Sequence, residues 1–499
     1  MQNKKIIVLG GGTAGWMSAL IFAHAWIKKE FEITLIESKD IPVIGVGEGS
    51  TPALKTFFKK LNIAESEWMG QCNATYKTGI TFNNWSTKPG FESYFHPFPS
   101  QLDDKFTSAF YFNTQMRRKG SDVVAHPNDF FFAHYLAKNN LAPIADYNFP
   151  FETEYGYHFD SHLLGQFLKN KALAMGVKYQ QSKISSAELK PDGNIKHLIS
   201  EDSQIFQADF FIDCSGFNAT LIDKTLKVPF VDYSNLLFNN AGVAISTPKQ
   251  TILKSETTSS ALKNGWAWKI PLTNRTGNGY VYSTDFCSPD LAETELRSQL
   301  NLLDSDVEAK HLKMKVGRRE SHWYKNCLCI GLSQGFIEPL EATALFLVQQ
   351  TAAIFVDEFE KGQFTPKNQI IFNANINQYF DGIRDYIVTH YKTNSRKDTQ
   401  YWRENAANPH LISDSLKNIY SCWGKGENLT AQLNRQNVDK YYTSMSWHCL
   451  LSGMGLFPDS TTLQRPQPHE VQIRMDSIKS FYSRCALNYK TQNEFLEKR

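Results

Sequence analysis

Lys5-Ile6-Ile7-Val8-Leu9-Gly10-Gly11-Gly12-Thr13-Ala14-Gly15 is the stretch on which the fold turns. Ile6 to Leu9 are apolar and mostly β-branched, the pattern of a buried strand. Gly10-x-Gly12-x-x-Gly15 follows at once, and Trp16 to Lys29 then reads as a helix. Phe31 to Ile36 is a second strand, and Glu37 stands at its end. Strand, glycine turn, helix, strand and acidic residue form a complete dinucleotide-binding βαβ unit. The glycines let the backbone approach a pyrophosphate, which rests on the helix N-terminus. Glu37 accepts hydrogen bonds from the ribose hydroxyls. Gly10, Gly12, Thr13, Ala14, Gly15 and Glu37 are therefore candidate cofactor contacts. The fingerprint does not separate FAD from NAD.

Outward from this unit, Ile6 to Ile27 carries no formal charge and follows Lys4-Lys5. A signal peptide, with Ala23-His24-Ala25 as cleavage site, or a membrane span would have that look. Gly10, Gly11, Gly12, Thr13 and Gly15 interrupt the run with turn chemistry, so the βα unit explains it better. No other long uncharged apolar run occurs, and a soluble protein without membrane association is expected. The net charge of +3 over 499 residues argues against nucleic acid as a partner. Eight scattered cysteines include no Cys-x-x-Cys pair, and Cys327 and Cys329 fit a strand better than a metal site. Reduced thiols, a cytoplasmic setting and no metal are expected. Aromatic residues make up 13%, which suits either aromatic-lined pockets or a Phe-rich core.

Further strands are expected at 176–181, 206–212, 279–283 and 327–331, with a helix at 163–175. From 342 onward the pattern is helical, over 342–360, 373–391, 431–451 and 470–495. Stretches near 83–130 and 395–430 read as long loops.

Four segments carry chemistry. In Trp266-Ala267-Trp268-Lys269-Ile270-Pro271 the two indoles point to one side of an extended chain. They would form a flat, stiff wall closed by Ile270 and Pro271, or simply an aromatic core strand. Gly45-Val46-Gly47-Glu48-Gly49-Ser50-Thr51-Pro52 is a glycine loop able to wrap a cofactor through Gly47 and Glu48, or a surface loop. Lys77, in Ala74-Thr75-Tyr76-Lys77-Thr78-Gly79, would on alternation alone be a solvent-facing strand residue. Glu338-Pro339-Leu340-Glu341-Ala342-Thr343-Ala344 opens a helix, where a carboxylate such as Glu341 is ordinary and an anion is favoured.

As an ordered set these segments resemble the signature of flavin-dependent halogenases, the tryptophan-halogenase-like family. Further matches are Phe82-Asn83-Asn84-Trp85, His96-Pro97-Phe98 and Tyr155-Gly156-Tyr157-His158-Phe159-Asp160. Asp213-Cys214-Ser215-Gly216 is similar to a strand-to-turn beside the flavin in FAD hydroxylase-type folds. The resemblance implies an α/β fold: a Rossmann-like FAD domain of the flavin monooxygenase type with an added β-sheet, over 1–360. A mainly helical region, 361–499, would cover the substrate pocket.

The resemblance also implies an activity. Reduced FAD from a separate flavin reductase, oxygen and halide (chloride, bromide or iodide) give hypohalous acid. Lys77 then directs its halogen onto an electron-rich, indole-like ring, with Glu341 as second catalytic group. Asp213, Gly216, Leu332 and Leu345 join the flavin contacts, and Thr343 and Ala344 would hold the halide. His96, Phe98, Trp447 and His448 would line the substrate pocket. Trp266, Trp268, Ile270 and Pro271 would separate substrate from flavin. The chain departs from the family where Ala342 and Ala344 stand in a usual Glu-Ser-Thr-Gly. It departs again where Trp447-His448 replaces a Tyr-Tyr pair of the enzymes acting on free tryptophan. The alternatives are an FAD-dependent aromatic hydroxylase and a flavin-binding protein without halogenating activity. A homodimer is left open.

Overall fold

The structure is a computed structural model that describes residues 4–39, 47–146, 148–407 and 409–497. Gly45 and Val46 of the second glycine loop lie outside the described residues. The chain divides into two compact units, each built from three stretches. One comprises Met1–Asn73, Phe159–Ser234 and Met314–Asp381, the other Ala74–His158, Asn235–Lys313 and Gly382–Arg499. The chain passes back and forth between the two sets of contacts.

The first unit is built on a six-stranded sheet in the order Trp323–Tyr324, Cys327–Cys329, Phe210–Asp213, Lys4–Leu9, Phe31–Glu37, Lys178–Gln181. Its strands are parallel except for the edge strand Trp323–Tyr324. Thr13–Trp26 is the crossover helix, packed against helices Ser161–Ala174 and Ala344–Lys361. Trp16, Met17, Ala19, Leu20, Phe22, Ala23 and Trp26 are all buried, which is why its sequence carries no polar stripe. Trp26 lies among Phe22, Phe31, Phe355, Phe359 and Phe364, and its indole N–H donates to Glu360 Oε1 at 2.8 Å. Much of the Phe surplus is thus core. Among the described residues no helix is long and apolar enough to cross a membrane.

The second unit holds a seven-stranded sheet ordered Ala309–Lys313, Ala241–Pro248, Arg275–Tyr282, Gly265–Pro271, Thr257–Leu262, Gly79–Asn83, Ser93–Pro97. All neighbours are antiparallel except Thr257–Leu262 with Gly79–Asn83. Outside this sheet, Thr75–Lys77 runs antiparallel to Gly156–Phe159.

Several expected elements differ. The stretch 431–451 is two helices, Leu429–Gln436 and Ser444–Gly453, because Asn437 ends the first in a left-handed conformation at φ 54°. The stretch 470–495 holds helix Met475–Cys485, strand Tyr489–Thr491 and helix Gln492–Leu496, the strand pairing with Leu141–Ala145. The expected loop at 83–130 contains strand Ser93–Pro97 and the fifteen-residue helix Asp104–Arg118. That at 395–430 contains helices Gln400–Ala406 and Asp414–Gly424. Polar residues masked these helices, and tertiary burial of Phe106, Phe110, Tyr401, Trp402, Leu416 and Trp423 selects them.

Asp103 anchors the aromatic core beneath helix Asp104–Arg118. Buried at 1% exposure, it accepts from Ser100 N, Phe132 N and the Tyr482 hydroxyl at 2.7–2.8 Å. Burial nevertheless pushes its carboxyl up to about 7, against those three hydrogen bonds. The folded state therefore holds this proton more tightly than the unfolded chain. Its contribution to stability is greatest at acid pH and falls as pH rises from about 4 through 7. Asp103→Asn is expected to lose about 1–3 kcal/mol, since its NH2 faces donors, and to remove this part of the pH slope in denaturant titrations.

Candidate active site

The first unit brings the nucleotide fingerprint together with the Asp213 turn. Strand Lys4–Leu9 ends at Gly10, whose φ of +119° a side chain tolerates poorly. A Cβ there would stand 2.2 Å from Cys214 O. A Cβ on Gly15 would stand 1.9 Å from Gly10 O, and one on Gly11 2.2 Å from the Glu37 carboxyl carbon. These three glycines serve close packing. Gly12 and Gly216 are different, because a Cβ on either would meet nothing within 4 Å. Gly12 is also the cap of helix Thr13–Trp26 and provides no side-chain bond, so the first-turn N–H groups have no side-chain cap. An uncapped helix end beside open space, with a carboxylate on the next strand, fits the pyrophosphate and ribose of FAD. Glu37 Oε2 lies 3.3 Å from Lys169 Nζ, which itself stands 3.7 Å from the Tyr179 ring centre.

Other expected flavin contacts divide by role. Asp213, fully buried, accepts from Ser215 N, Ser215 Oγ, Leu221 N and Ile222 N at 2.6–3.0 Å. Its carboxylate is thus taken up in shaping the turn. Thr13 is held by a hydrogen bond to Ser161 O at 3.1 Å, and Ala14 packs at its Cβ toward Gly331. Gly47 is left-handed at φ 86°. Burial first, opposed by the Ser161 hydroxyl and reinforced by Asp160, raises the Glu48 carboxyl to about 7. Leu332 lies in the turn Gly331–Ser333, and Leu345 is buried in the first turn of helix Ala344–Lys361.

That helix is preceded by the tight turn Pro339–Glu341 and by Ala342 at φ 56°. Glu341 and Thr343 are buried, Ala344 is exposed, and Thr343 makes no side-chain cap. A second helix N-terminus therefore lacks a side-chain cap and has no acid in its first turn, an arrangement suited to an anion.

The second unit carries Lys77. It ends strand Thr75–Lys77 at 0% exposure, directly across from Gly156. The solvent-facing position expected from alternation is not observed. The strand is buried on both faces, and the ammonium lies 5.4 Å from the centre of the Phe98 ring.

Trp266 and Trp268 do share a face, at 2% and 8% exposure, while Ala267 and Lys269 are half-buried. The wall is not flat: the rings are 6.2 Å apart and inclined at 58°. Trp268 lies over Gly279 of the next strand, where a Cβ would come within 2.1 Å of the indole. Its indole N–H is buried without a hydrogen-bond partner among the described residues. Ile270 and Pro271 are buried beside it, and Pro271 O accepts from the Thr75 hydroxyl at 2.7 Å.

Trp447 and His448 separate. Trp447 packs edge-on to Tyr386, whose ring also neighbours His96 at 6.1 Å and stacks on Tyr442 at 3.5 Å. His448 instead stacks on Tyr111 at 4.1 Å and has Nδ1 2.8 Å from Ser444 O. Burial brings its pKa down to about 3, so it is a neutral core histidine. Sequence reasoning missed Tyr386. Tyr386 and His390, four apart on helix Gln369–Lys392, were the available signal.

A helix end suited to FAD in one unit and a wholly buried lysine beside Phe98 in the other are features expected of a halogenating flavoprotein. The chain belongs to the tryptophan halogenase family, whose model matches residues 5–467. It is 34% identical to 7-chloro-L-tryptophan 6-halogenase KtzR of Kutzneria sp. (strain 744), over 90% of each chain. The structure of tryptophan 6-halogenase SttH from Streptomyces toxytricini superposes with TM-score 0.84 at 30% identity, covering 99% of this chain and 100% of that one. Tar14, a tryptophan C-6 flavin-dependent halogenase (chlorinase) from taromycin biosynthesis, matches equally at 0.84 and 30%, covering 99% of both. The protein is accordingly a flavin-dependent halogenase, and FAD is the cofactor that membership implies.

Two glycine variants test the cradle. Gly15→Val is expected to abolish FAD binding and destabilise the fold. Gly12→Ala is expected to keep the wild-type melting temperature yet weaken FAD binding about tenfold or more, about 1.4 kcal/mol. Fluorescence titration with FAD reads both.

Proposed function

We propose that the protein halogenates an electron-rich, indole-type ring, with Lys77 handing over the halogen. When bound, reduced FAD supplies the electrons by which oxygen turns halide into hypohalous acid, and a separate flavin reductase is its proposed source. In the transfer, the ring carbon–halogen bond forms as the halogen–oxygen bond breaks. The ring proton is lost and the oxygen leaves as water.

The observation that carries this reading is the wholly buried Lys77 ammonium beside Phe98. A hydrogen bond from such an ammonium to the hypohalous oxygen draws electrons from the halogen and makes it a better electrophile. Glu341, buried in its own tight turn, is the proposed second group, stabilising the cationic ring and accepting its proton. Thr343 and Ala344 are the proposed halide position, supported by the uncapped helix end. His96, Phe98 and Trp447 are proposed walls of the ring pocket. The pair Trp266 and Trp268, with Ile270 and Pro271, is the proposed barrier that keeps substrate from the flavin.

A ring, rather than an amino-acid backbone, is the proposed recognition element. Trp447 bears no charge, and His448 is neutral and packed on Tyr111.

The test supplies FAD, a flavin reductase, NADH and each halide in turn, with indole and with tryptophan, and reads products by mass. Halogenated indole in excess over halogenated tryptophan is expected. Lys77→Ala is expected to lower it roughly 100-fold or more, and Glu341→Gln roughly 10- to 100-fold, with FAD binding kept. Hydroxylated indole without halogen would overturn the reading.

A further inference from the structure

One buried side chain outside the groups assigned above has both ring nitrogens engaged. His158 is wholly buried on strand Gly156–Phe159, directly across from Thr75. The Thr75 hydroxyl has a single proton, which goes to Pro271 O at 2.7 Å, since a carbonyl can only accept. The 3.0 Å contact between the same oxygen and His158 Nδ1 must then take its proton from the imidazole. That fixes the Nδ1–H tautomer. His158 Nε2 is left as acceptor for the Thr257 hydroxyl, 2.9 Å away.

The chain of bonds joins four strands. Thr75 is two residues before Lys77 and, by strand alternation, on the same side. Pro271 ends the strand of Trp266 and Trp268, and Thr257 opens the strand paired with it. Burial, and then the Lys77 charge, hold the His158 pKa well below 6.5. The imidazole is neutral and does not repel the ammonium.

We propose that His158, clamped between Thr75 and Thr257, is a positioning residue for halogen transfer, fixing the Lys77 strand against the end of the Trp266–Pro271 strand. This rests on the reading of Lys77 as the transfer group. Its consequence is coupling. A displacement of about 1 Å at a reacting group can cost about 100-fold in rate, whereas making hypohalous acid needs no contact with His158. Loosening the clamp should let hypohalous acid form and escape unused.

The experiment compares Thr75→Val, Thr75→Ser, His158→Phe and His158→Asn with wild type and Lys77→Ala. It measures halogenated indole, hypohalous acid caught by a dimedone-type trap, reduced flavin consumed and melting temperature. Thr75→Val and His158→Phe are expected to lower halogenated product 10- to 100-fold while trapped acid per flavin holds or rises. Thr75→Ser, which keeps the hydroxyl, and His158→Asn, which keeps a donor toward Thr75, should recover much of the loss. Product and trapped acid both at wild-type level, or both falling together with the melting temperature, would overturn the proposal. If Lys77→Ala transfers halogen like wild type, the Lys77 reading fails and His158 falls with it. If Lys77→Ala is inactive while Thr75→Val and His158→Phe transfer normally, only the positioning role falls.

Discussion

The first unit depends on the contact of backbone with backbone at Gly10 and Gly15. With no side chain at either position, the crossover helix starts against the strand it follows, and that strand lies against the Cys214 turn. The approach has two results. It seals the helix against the sheet on one side, so its buried residues need no polar stripe. On the other side it leaves the helix end uncapped, facing open space at Gly12 and Gly216. The same absence of Cβ atoms thus makes both the packing and the cofactor cradle.

The second unit answers a different demand, that a buried polar group replace the water it has lost. Asp103 does so with three donors and His158 with two threonines, and in the first unit Asp213 does so with four. Such saturated groups are architectural, whatever their chemistry elsewhere. Lys77 differs in kind: the ammonium sits against an aromatic face with a glycine across the strand.

Tryptophan shows how neighbours decide a motif's geometry. Alternation puts Trp266 and Trp268 on one face, but Gly279 opposite Trp268 draws that ring down onto the next strand and tilts the pair. Trp447 and His448, adjacent on one helix, point into different surroundings, because consecutive helical residues lie about 100° apart.

Sequence alone determined the βαβ unit, the family and the buried face of the Trp266 strand. Each rests on local rules: glycine where a Cβ cannot fit, period-two alternation and residue order. It left Lys77 ambiguous, since Thr75-Tyr76-Lys77 alternates like a strand half in water although the fold buries both of its faces. It read helices Asp104–Arg118 and Asp414–Gly424 as loops, because their stability comes from residues distant in sequence. Only tertiary structure could fix the His158 tautomer, make Asp213 a turn-former or bring Tyr386 beside His96 and Trp447. The His158 and Tyr386 outcomes depend on partners tens to hundreds of positions away, and the Asp213 turn on a backbone path over residues 215–222 that no residue pattern announces.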